Sequence, residues 1–145
     1  MAGGLSIKVT LGGMAKAILL AQPEKMNEAI TKGVENVALL LRDRMTQYSG
    51  MGHPEHPNVI TGNLRKSFVY EMMETGVHAK AKVGSTIQNP TYPIFVEYGH
   101  NIVRGGNVVG YARPYPFVRP AVDDVGVGGE GEKVFTNTVK NYMGI

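Results

Sequence analysis

The longest regular pattern of hydrophobic and polar positions runs from Glu24 to about Gln47. Its apolar side chains recur every three or four positions, at Met26, Ile30, Val34, Val37, Leu41 and Met45. That spacing places them on one face of a helix. The charged residues between them sum to zero, which is typical of a solvated outer face. The pattern predicts a long amphipathic helix over about 24–47, ended by Ser49-Gly50 and the proline-containing stretch that follows.

Two stretches alternate with a period of two, which is typical of strands with one buried face. The first has apolar residues at Leu5, Ile7, Val9 and Leu11 and predicts an N-terminal strand over 5–11. The second runs from about 67 to 83, with Glu74-Thr75-Gly76 in its middle, and predicts a β-hairpin with one solvated face.

The chain from about residue 92 onward predicts short elements separated by glycine and proline. Residues 92–98 are mostly apolar and predict one or two helical turns that end at Gly99. Residues 99–112 contain four glycines without a clear period, which predicts a projecting loop. The proline-punctuated residues 113–121 are predicted to be extended, because residues that precede proline avoid the helical region.

The last predicted element is a C-terminal helix over about 130–143. Phe135, Val139 and Tyr142 lie at helical spacing in this stretch, and the glycine-rich sequence GVGGEG precedes it.

Together these elements predict an α+β fold, with a small, mainly antiparallel β-sheet packed against one long α-helix, a C-terminal helix and long loops. A length of 145 residues suits a single domain, 1–145. Apolar residues make up 43% of the chain and charged residues 19%, which is outside the composition of disordered proteins.

Composition argues against several classes of protein. The chain has no cysteine, which excludes disulfides, thiolate metal sites and cysteine nucleophiles. No stretch approaches the roughly 20 apolar residues of a membrane span, and we expect neither a signal peptide nor a membrane anchor. The net charge of +3 is modest, and the longest basic cluster is Arg65-Lys66, so sequence-specific nucleic-acid binding is not expected.

Candidate catalytic and metal-binding residues are few. His53 and His56 are flanked by prolines and cannot share a helix face as the histidines of a zinc protease do. Glu97 and His100 are close enough to act as base and acid in a small hydrolase, but Gly99 separates them and no third orienting group is evident. We therefore predict no catalytic, cofactor-binding or metal-binding residue. Glu97 lies in a mainly apolar segment and is expected to pair with Arg113 or Arg119.

Three motifs follow the long helix in order. They are TGNLRKS (Thr61–Ser67), FVEYG (Phe95–Gly99) and RPYPFVRPA (Arg113–Ala121). In this order and spacing they resemble the head-to-tail joining, or neck, proteins of long-tailed bacteriophages, and the similarity covers roughly residues 24–122. The residues that carry the resemblance are Thr61, Gly62, Leu64, Ser67, Phe95, Glu97, Tyr98, Gly99, Arg113, Pro114, Phe117, Arg119, Pro120 and Ala121.

The resemblance implies a structural virion protein without catalysis or cofactor, assembled in the cytoplasm of the host bacterium. It implies a homo-oligomeric ring, of about six or twelve copies, at the head-to-tail junction. Its partners would be the head-closure or connector protein on one side and the tail tube or tail terminator on the other. Genome DNA would pass through the ring without sequence-specific binding, and no membrane is involved. A tail terminator ring that caps the tail tube remains an alternative, since the same residues would serve it.

Two segments are candidates for contacts between subunits. The strand with Leu5, Ile7, Val9 and Leu11 could pair with the sheet edge of a neighbouring copy. Residues 99–112, which include Val108 and Val109, are the second candidate, and this long stretch departs from the family pattern.

Overall fold

A computed structural model describes residues 21–52, 62–87 and 91–144 of the chain. The helices are α1 (Pro23–Tyr48), α2 (Asn63–Lys66), α3 (Thr91–Tyr98), α4 (Val118–Val125) and α5 (Glu130–Met143). The strands are β1 (Phe68–Glu74), β2 (Lys80–Ser85), β3 (His100–Arg104) and β4 (Asn107–Ala112). Strand β1 pairs with β2, and β3 pairs with β4, each as an antiparallel two-stranded sheet. The predicted α+β class is confirmed, whereas the predicted strand 5–11 and residues 53–61 lie outside the described residues.

Helix α1 is confirmed within one residue of its predicted bounds, but its buried face is shifted in the first half. The buried positions there are Ala29 and Gly33, while Ile30 and Val34 are half-buried. Farther along, Val37, Leu41 and Met45 are buried as predicted. Small residues occupy the first half of the buried face because another helix approaches it closely, and the hydrophobic pattern alone does not reveal this.

That approaching helix is α5, whose predicted bounds are confirmed. Val139 and Met143 form an apolar cluster with Ala29 of α1, and Phe135 packs against the edge of this cluster. A Cβ atom added to Gly33 would lie 2.7 Å from Cδ2 of Phe135, so the absence of a side chain at residue 33 sets the distance between the helices.

Strands β1 and β2 confirm the predicted hairpin, with a short 3₁₀ turn at Gly76–His78 between them. Contacts with α1 fix this hairpin. The Tyr70 hydroxyl donates to Oε1 of Glu35 at 2.9 Å, and the Gly76 N–H donates to Oγ1 of Thr31 at 2.8 Å.

Residues 99–112 are not an irregular loop, and that prediction was wrong. They form the β3–β4 hairpin, whose turn is Gly105-Gly106 with φ values of +57° and +80°. Two successive residues with positive φ make the tight turn whose twist suits a β-hairpin, and glycine adopts them without strain. A bulge between Ile102 and Val103 breaks the strict alternation, which explains why no clear period is visible in the sequence.

The motif RPYPFVRPA is extended only in its first part. Residues 113–116 have no helical structure, but α4 begins at Val118 and contains Arg119 and Pro120. Proline is tolerated in the first turn of a helix, where its missing N–H has no helical partner to lose. The prediction that the whole motif is extended was therefore wrong, and the reason lies in the capping described below.

The chain divides into two compact units. The first comprises residues 42–52, 62–69, 84–87 and 91–121, and the second comprises 21–41, 70–83 and 122–144. The three sequence motifs belong to the first unit, and the α1–α5 packing belongs to the second. None of the helices in residues 21–52, 62–87 and 91–144 combines the length and the hydrophobicity that a membrane span requires.

Candidate functional site

The side chain that organises the first unit is Glu97, near the end of α3. It is 7% exposed, and both of its carboxylate oxygens accept hydrogen bonds from backbone N–H groups. Oε2 accepts from Phe117 at 2.7 Å and from Val118 at 2.9 Å, while Oε1 accepts from Arg119 at 2.9 Å. Three consecutive N–H groups thus converge on one buried carboxylate.

This arrangement caps α4 from outside the helix. The first N–H groups of a helix have no partners within it, and the helix dipole favours a negative charge at this end. Glu97 supplies both the acceptors and the charge from 20 residues upstream. Helix α4 can therefore begin directly after the proline-rich segment, although Arg119 precedes a proline.

The expected pairing of Glu97 with an arginine side chain was wrong. Arg119 does contact Glu97, but through its peptide N–H, and the side chain of Arg119 is exposed. Arg113 lies over the ring of Tyr115, with its guanidinium carbon 5.5 Å from the ring centroid. Among the described residues, no ion pair joins Glu97 to either guanidinium. Backbone donors satisfy the buried charge instead.

One further hydrogen bond attaches the third motif to the second, and Gly99 ends the second motif close to a neighbouring strand. The Tyr115 N–H donates to the carbonyl of Val96 at 2.8 Å. Gly99 ends α3 with φ +75°, and its N–H donates to the carbonyl of Phe95 at 2.8 Å. A Cβ at residue 99 would lie 2.5 Å from the carbonyl oxygen of Ala112 and 2.5 Å from the hydroxyl of Tyr111. Gly99 is therefore required both for its backbone conformation and for the close approach of this neighbouring strand.

The first motif reaches the same place through an aromatic contact. Phe68, directly after TGNLRKS, is 6% exposed, and its ring centroid lies 5.4 Å from that of Phe117, which is 1% exposed. Leu64 and Ser67 are buried as well, and Gly62 has φ +77°, a left-handed conformation that glycine adopts without strain. Thr61 lies outside the described residues.

Ser67 is the centre of a small polar network that the sequence did not reveal. Its hydroxyl donates to the carbonyl of Leu64 at 2.7 Å and accepts from the hydroxyl of Ser85 at 2.6 Å. Its carbonyl accepts from the N–H of Thr86 at 2.8 Å. The sequence gives no indication that Ser85 and Thr86 contact Ser67, because two polar residues at the end of a strand are common. Only the pairing of β1 with β2 brings them to Ser67.

The aromatic residues of the second motif point outward. Phe95 is 41% exposed and Tyr98 is 63% exposed. The Phe95 ring stacks on the imidazole of His100, with centroids 4.6 Å apart. The Tyr98 carbonyl accepts a hydrogen bond from the Tyr111 hydroxyl at 3.2 Å, which ties α3 to the β3–β4 hairpin.

The remaining predicted residues are distributed around this centre. Ala121 is fully buried, Pro120 is half-buried, and Arg113 and Pro114 are exposed. Val108 and Val109 are 64% and 60% exposed on the hairpin. Leu5, Ile7, Val9 and Leu11 lie outside the described residues.

The electrostatics of the second unit centre on Glu35. Its carboxylate accepts hydrogen bonds from Lys32 at 2.8 Å and from Tyr70 at 2.9 Å. The bond from Lys32, followed by that from Tyr70, lowers the pKa of the Glu35 carboxyl below its usual 4.5. The hydrogen bond to Glu35, followed by the negative charge of that carboxylate, raises the pKa of the Lys32 ammonium group. The bond from Tyr70 connects β1 to α1, whereas Lys32 and Glu35 lie one turn apart on α1 itself.

The chemistry available at Glu97 is that of a structural anchor. Its two oxygens already accept three hydrogen bonds, and the imidazole of His100 is stacked on Phe95. A general base needs a lone pair directed at the proton that it abstracts. The geometry therefore favours a role for Glu97 in joining segments of the chain.

In comparisons with known proteins, no family model, no curated protein and no solved structure matches this chain.

Proposed function

We propose that this chain is a structural virion protein that forms a homo-oligomeric ring at the head-to-tail junction of a long-tailed bacteriophage. The order and spacing of the three motifs suggest this function. The observation that carries it is the convergence of those motifs, with Glu97 of FVEYG bonded to the backbone of RPYPFVRPA at 2.7–2.9 Å.

This convergence supports a structural interpretation of the motifs. If FVEYG served catalysis, its one acid would be expected to face a cleft with free lone pairs. Instead Glu97 is buried and caps α4, while Phe117 packs on Phe68 beside the first motif. The motif residues hold this part of the chain together. That role is consistent with a protein that acts by its shape.

The exposed apolar residues of the β3–β4 hairpin also support assembly. Val103, Val108, Val109 and Tyr111 are each 58–64% exposed. Four such side chains on one small hairpin are unusual for a chain that works as a monomer, since contiguous exposed apolar surface marks contact sites.

Purification of the full chain tests the proposal. Size-exclusion chromatography with light scattering should give a mass several times that of the 15.7 kDa chain, and negative-stain electron microscopy should show rings with a central opening. A stable monomer that hydrolyses a test substrate, and loses this activity in Glu97→Gln, would contradict the proposal and favour the hydrolase.

A second experiment separates a neck ring from a tail terminator. In a phage that carries this gene, loss of a neck protein should leave complete tails of normal length beside unattached, filled heads. Loss of a terminator should leave tails of irregular length, because nothing then caps the growing tube. Electron microscopy of lysates from an amber mutant reports which particles accumulate.

A further inference from the structure

The charges of this chain are divided unevenly between its two compact units. The described residues of the first unit contain seven lysine and arginine side chains and two acids, which gives a net charge of +5. Those of the second unit contain six lysines and nine acids, which gives a net charge of −3. The modest net charge of the whole chain, +3, therefore conceals one strongly basic unit.

The basic side chains of the first unit are mostly arginines. All six arginines of the chain lie there, with one lysine among its described residues, whereas the basic side chains in the described part of the second unit are all lysines. A guanidinium presents a planar fork of N–H donors that matches a phosphate group, and it is more weakly hydrated than an ammonium group. The first unit therefore has the side chains that favour contacts with phosphates.

Most of the cations in this unit lie in segments without an exposed acid. Residues 62–69, 84–87 and 91–117 contain one acid, Glu97, which is 7% exposed and accepts three backbone hydrogen bonds. The same residues carry four exposed cations. They are Arg65, Lys66, Arg104 and Arg113. A polyanion that approaches these segments from any side meets cations and no exposed carboxylate belonging to them.

Arg65 and Lys66 lie next to the last turns of α1. Nε of Arg65 donates to the carbonyl of Thr46 at 3.3 Å. Thr46 follows Arg42 by one turn, and its hydroxyl donates to the Arg42 carbonyl at 3.0 Å. Cations at this place also complement the negative end of the α1 dipole, which is a structural reason for them.

That structural reason does not apply to Arg104. This residue ends β3 beside the turn of the β3–β4 hairpin, and its side chain is exposed. The hairpin sequence from His100 to Ala112 contains no acid. The basic character of the first unit is therefore not confined to the end of one helix.

Double-stranded nucleic acid is the polyanion that best suits cations distributed in this way. Its phosphates carry one charge per roughly 1.7 Å of axis, and binding of separate cations releases condensed counterions. An exposed ion pair with the carboxylate of another protein contributes little, because water and salt screen both charges. Cations spread over several segments therefore gain more from a phosphate backbone than from an acidic protein surface.

We propose that the first unit binds double-stranded nucleic acid through the phosphate backbone, without reading the base sequence. Arg65, Lys66, Arg104 and Arg113 supply the contacts, and the more acidic second unit takes no part. Phosphate contacts carry no sequence information, which agrees with the expectation that the chain does not bind nucleic acid sequence-specifically. This inference goes beyond the proposed function, since a single copy of the chain is sufficient for it.

Fluorescence anisotropy of a labelled DNA duplex with the full chain, from about 50 to 200 mM salt, tests the inference. Two double variants neutralise cations of the first unit, Arg65→Gln with Lys66→Gln, and Arg104→Gln with Arg113→Gln. Each should weaken binding by at least about tenfold and reduce the slope of log affinity against log salt by about two, since each lost phosphate contact removes about 0.9.

The matched control is Lys133→Gln with Lys140→Gln on the exposed surface of α5, in the second unit. This variant changes the net charge of the chain by the same amount, and its affinity should stay within about twofold of wild type. Circular dichroism verifies that each variant is folded.

Three results would overturn the inference. One is a wild-type chain that does not bind the duplex at about 50 mM salt. Another is equal weakening by all three double variants, because net charge alone would then govern binding. The third is polyglutamate that competes as well as unlabelled duplex at equal charge, which would indicate an acidic protein as the partner. The proposed ring fails separately: wild-type rings that do not bind DNA contradict this inference alone, whereas a monomer that binds DNA contradicts only the ring.

Discussion

Oε2 of Glu97 accepts a hydrogen bond from the peptide N–H of Phe117 at 2.7 Å, across 20 residues of sequence. This bond connects the end of α3 to the start of α4, and the N–H groups of Val118 and Arg119 complete the site. The acid of one motif thereby fixes the conformation of another.

Removal of the Glu97 carboxylate should therefore destabilise the first unit. Glu97→Ala leaves three N–H groups without their acceptor, and we expect it to lower the free energy of unfolding by about 2–4 kcal/mol. Glu97→Gln keeps the shape but loses the charge and turns a donor toward other donors, with an expected loss of about 1–3 kcal/mol. Urea denaturation measures both. The control is Glu71→Gln on exposed β1, and equal effects of the two Gln variants would contradict the capping role.

Gly99 should tolerate substitution less well than a glycine of similar conformation in open space. Gly99→Ala and Gly129→Ala both place alanine at a positive φ, +75° and +76° respectively, which costs about 1–2 kcal/mol. At residue 99 the new Cβ would also meet the Ala112 carbonyl at 2.5 Å, whereas nothing lies within 4 Å at residue 129. We expect Gly99→Ala to lose at least about 1 kcal/mol more than Gly129→Ala in urea denaturation, through overpacking. Identical losses would show that conformation alone selects the glycine.

Whether Gly33→Ala stabilises or destabilises the chain should depend on the side chain at residue 135. Alanine favours a helix interior over glycine by about 1 kcal/mol, but here the added Cβ would lie 2.7 Å from the Phe135 ring. In the wild-type background we therefore expect Gly33→Ala to be destabilising. In a Phe135→Ala background the space is open, and the same substitution should be stabilising. Thermal unfolding of the four proteins gives the coupling between the two sites, and a coupling near zero would refute the close contact.

Acid should weaken the connection between α1 and β1 through Glu35. Hydrogen bonds from Lys32 and Tyr70 lower the pKa of the Glu35 carboxyl in the folded chain below the usual 4.5. Its contribution to stability is therefore fully present above about pH 4.5 and is lost as the pH falls through the folded-state pKa. Wild type should unfold at a higher temperature than Glu35→Gln at pH 7, and this difference should shrink below pH 4.5. Thermal melts from pH 7 to pH 3 measure it, with Glu132→Gln on exposed α5 as the control. A pH-independent difference would contradict this role.

Local periodicity in the amino-acid sequence is sufficient to predict several elements of this fold. Apolar residues every three or four positions gave the bounds of α1 and α5 within a residue, and alternation around residue 75 gave the β1–β2 hairpin. Each of these patterns is set by the repeat of a single helix or strand. The four glycines in residues 99–112 marked an unusual backbone but not a hairpin, because the bulge at Ile102/Val103 disturbs the alternation.

Contacts between residues distant in the sequence are seen only in the folded chain. The Glu97 carboxylate accepts hydrogen bonds from the backbone N–H groups of Phe117, Val118 and Arg119. Every residue except proline has such a group, so the sequence does not show that these groups, and not an arginine side chain, bind the carboxylate. The close approach of α5 moved the buried face of α1 onto Ala29 and Gly33. Periodicity reports which side of an element is apolar, whereas the shape and polarity of the surface packed against it decide which residues are buried there and what they bind.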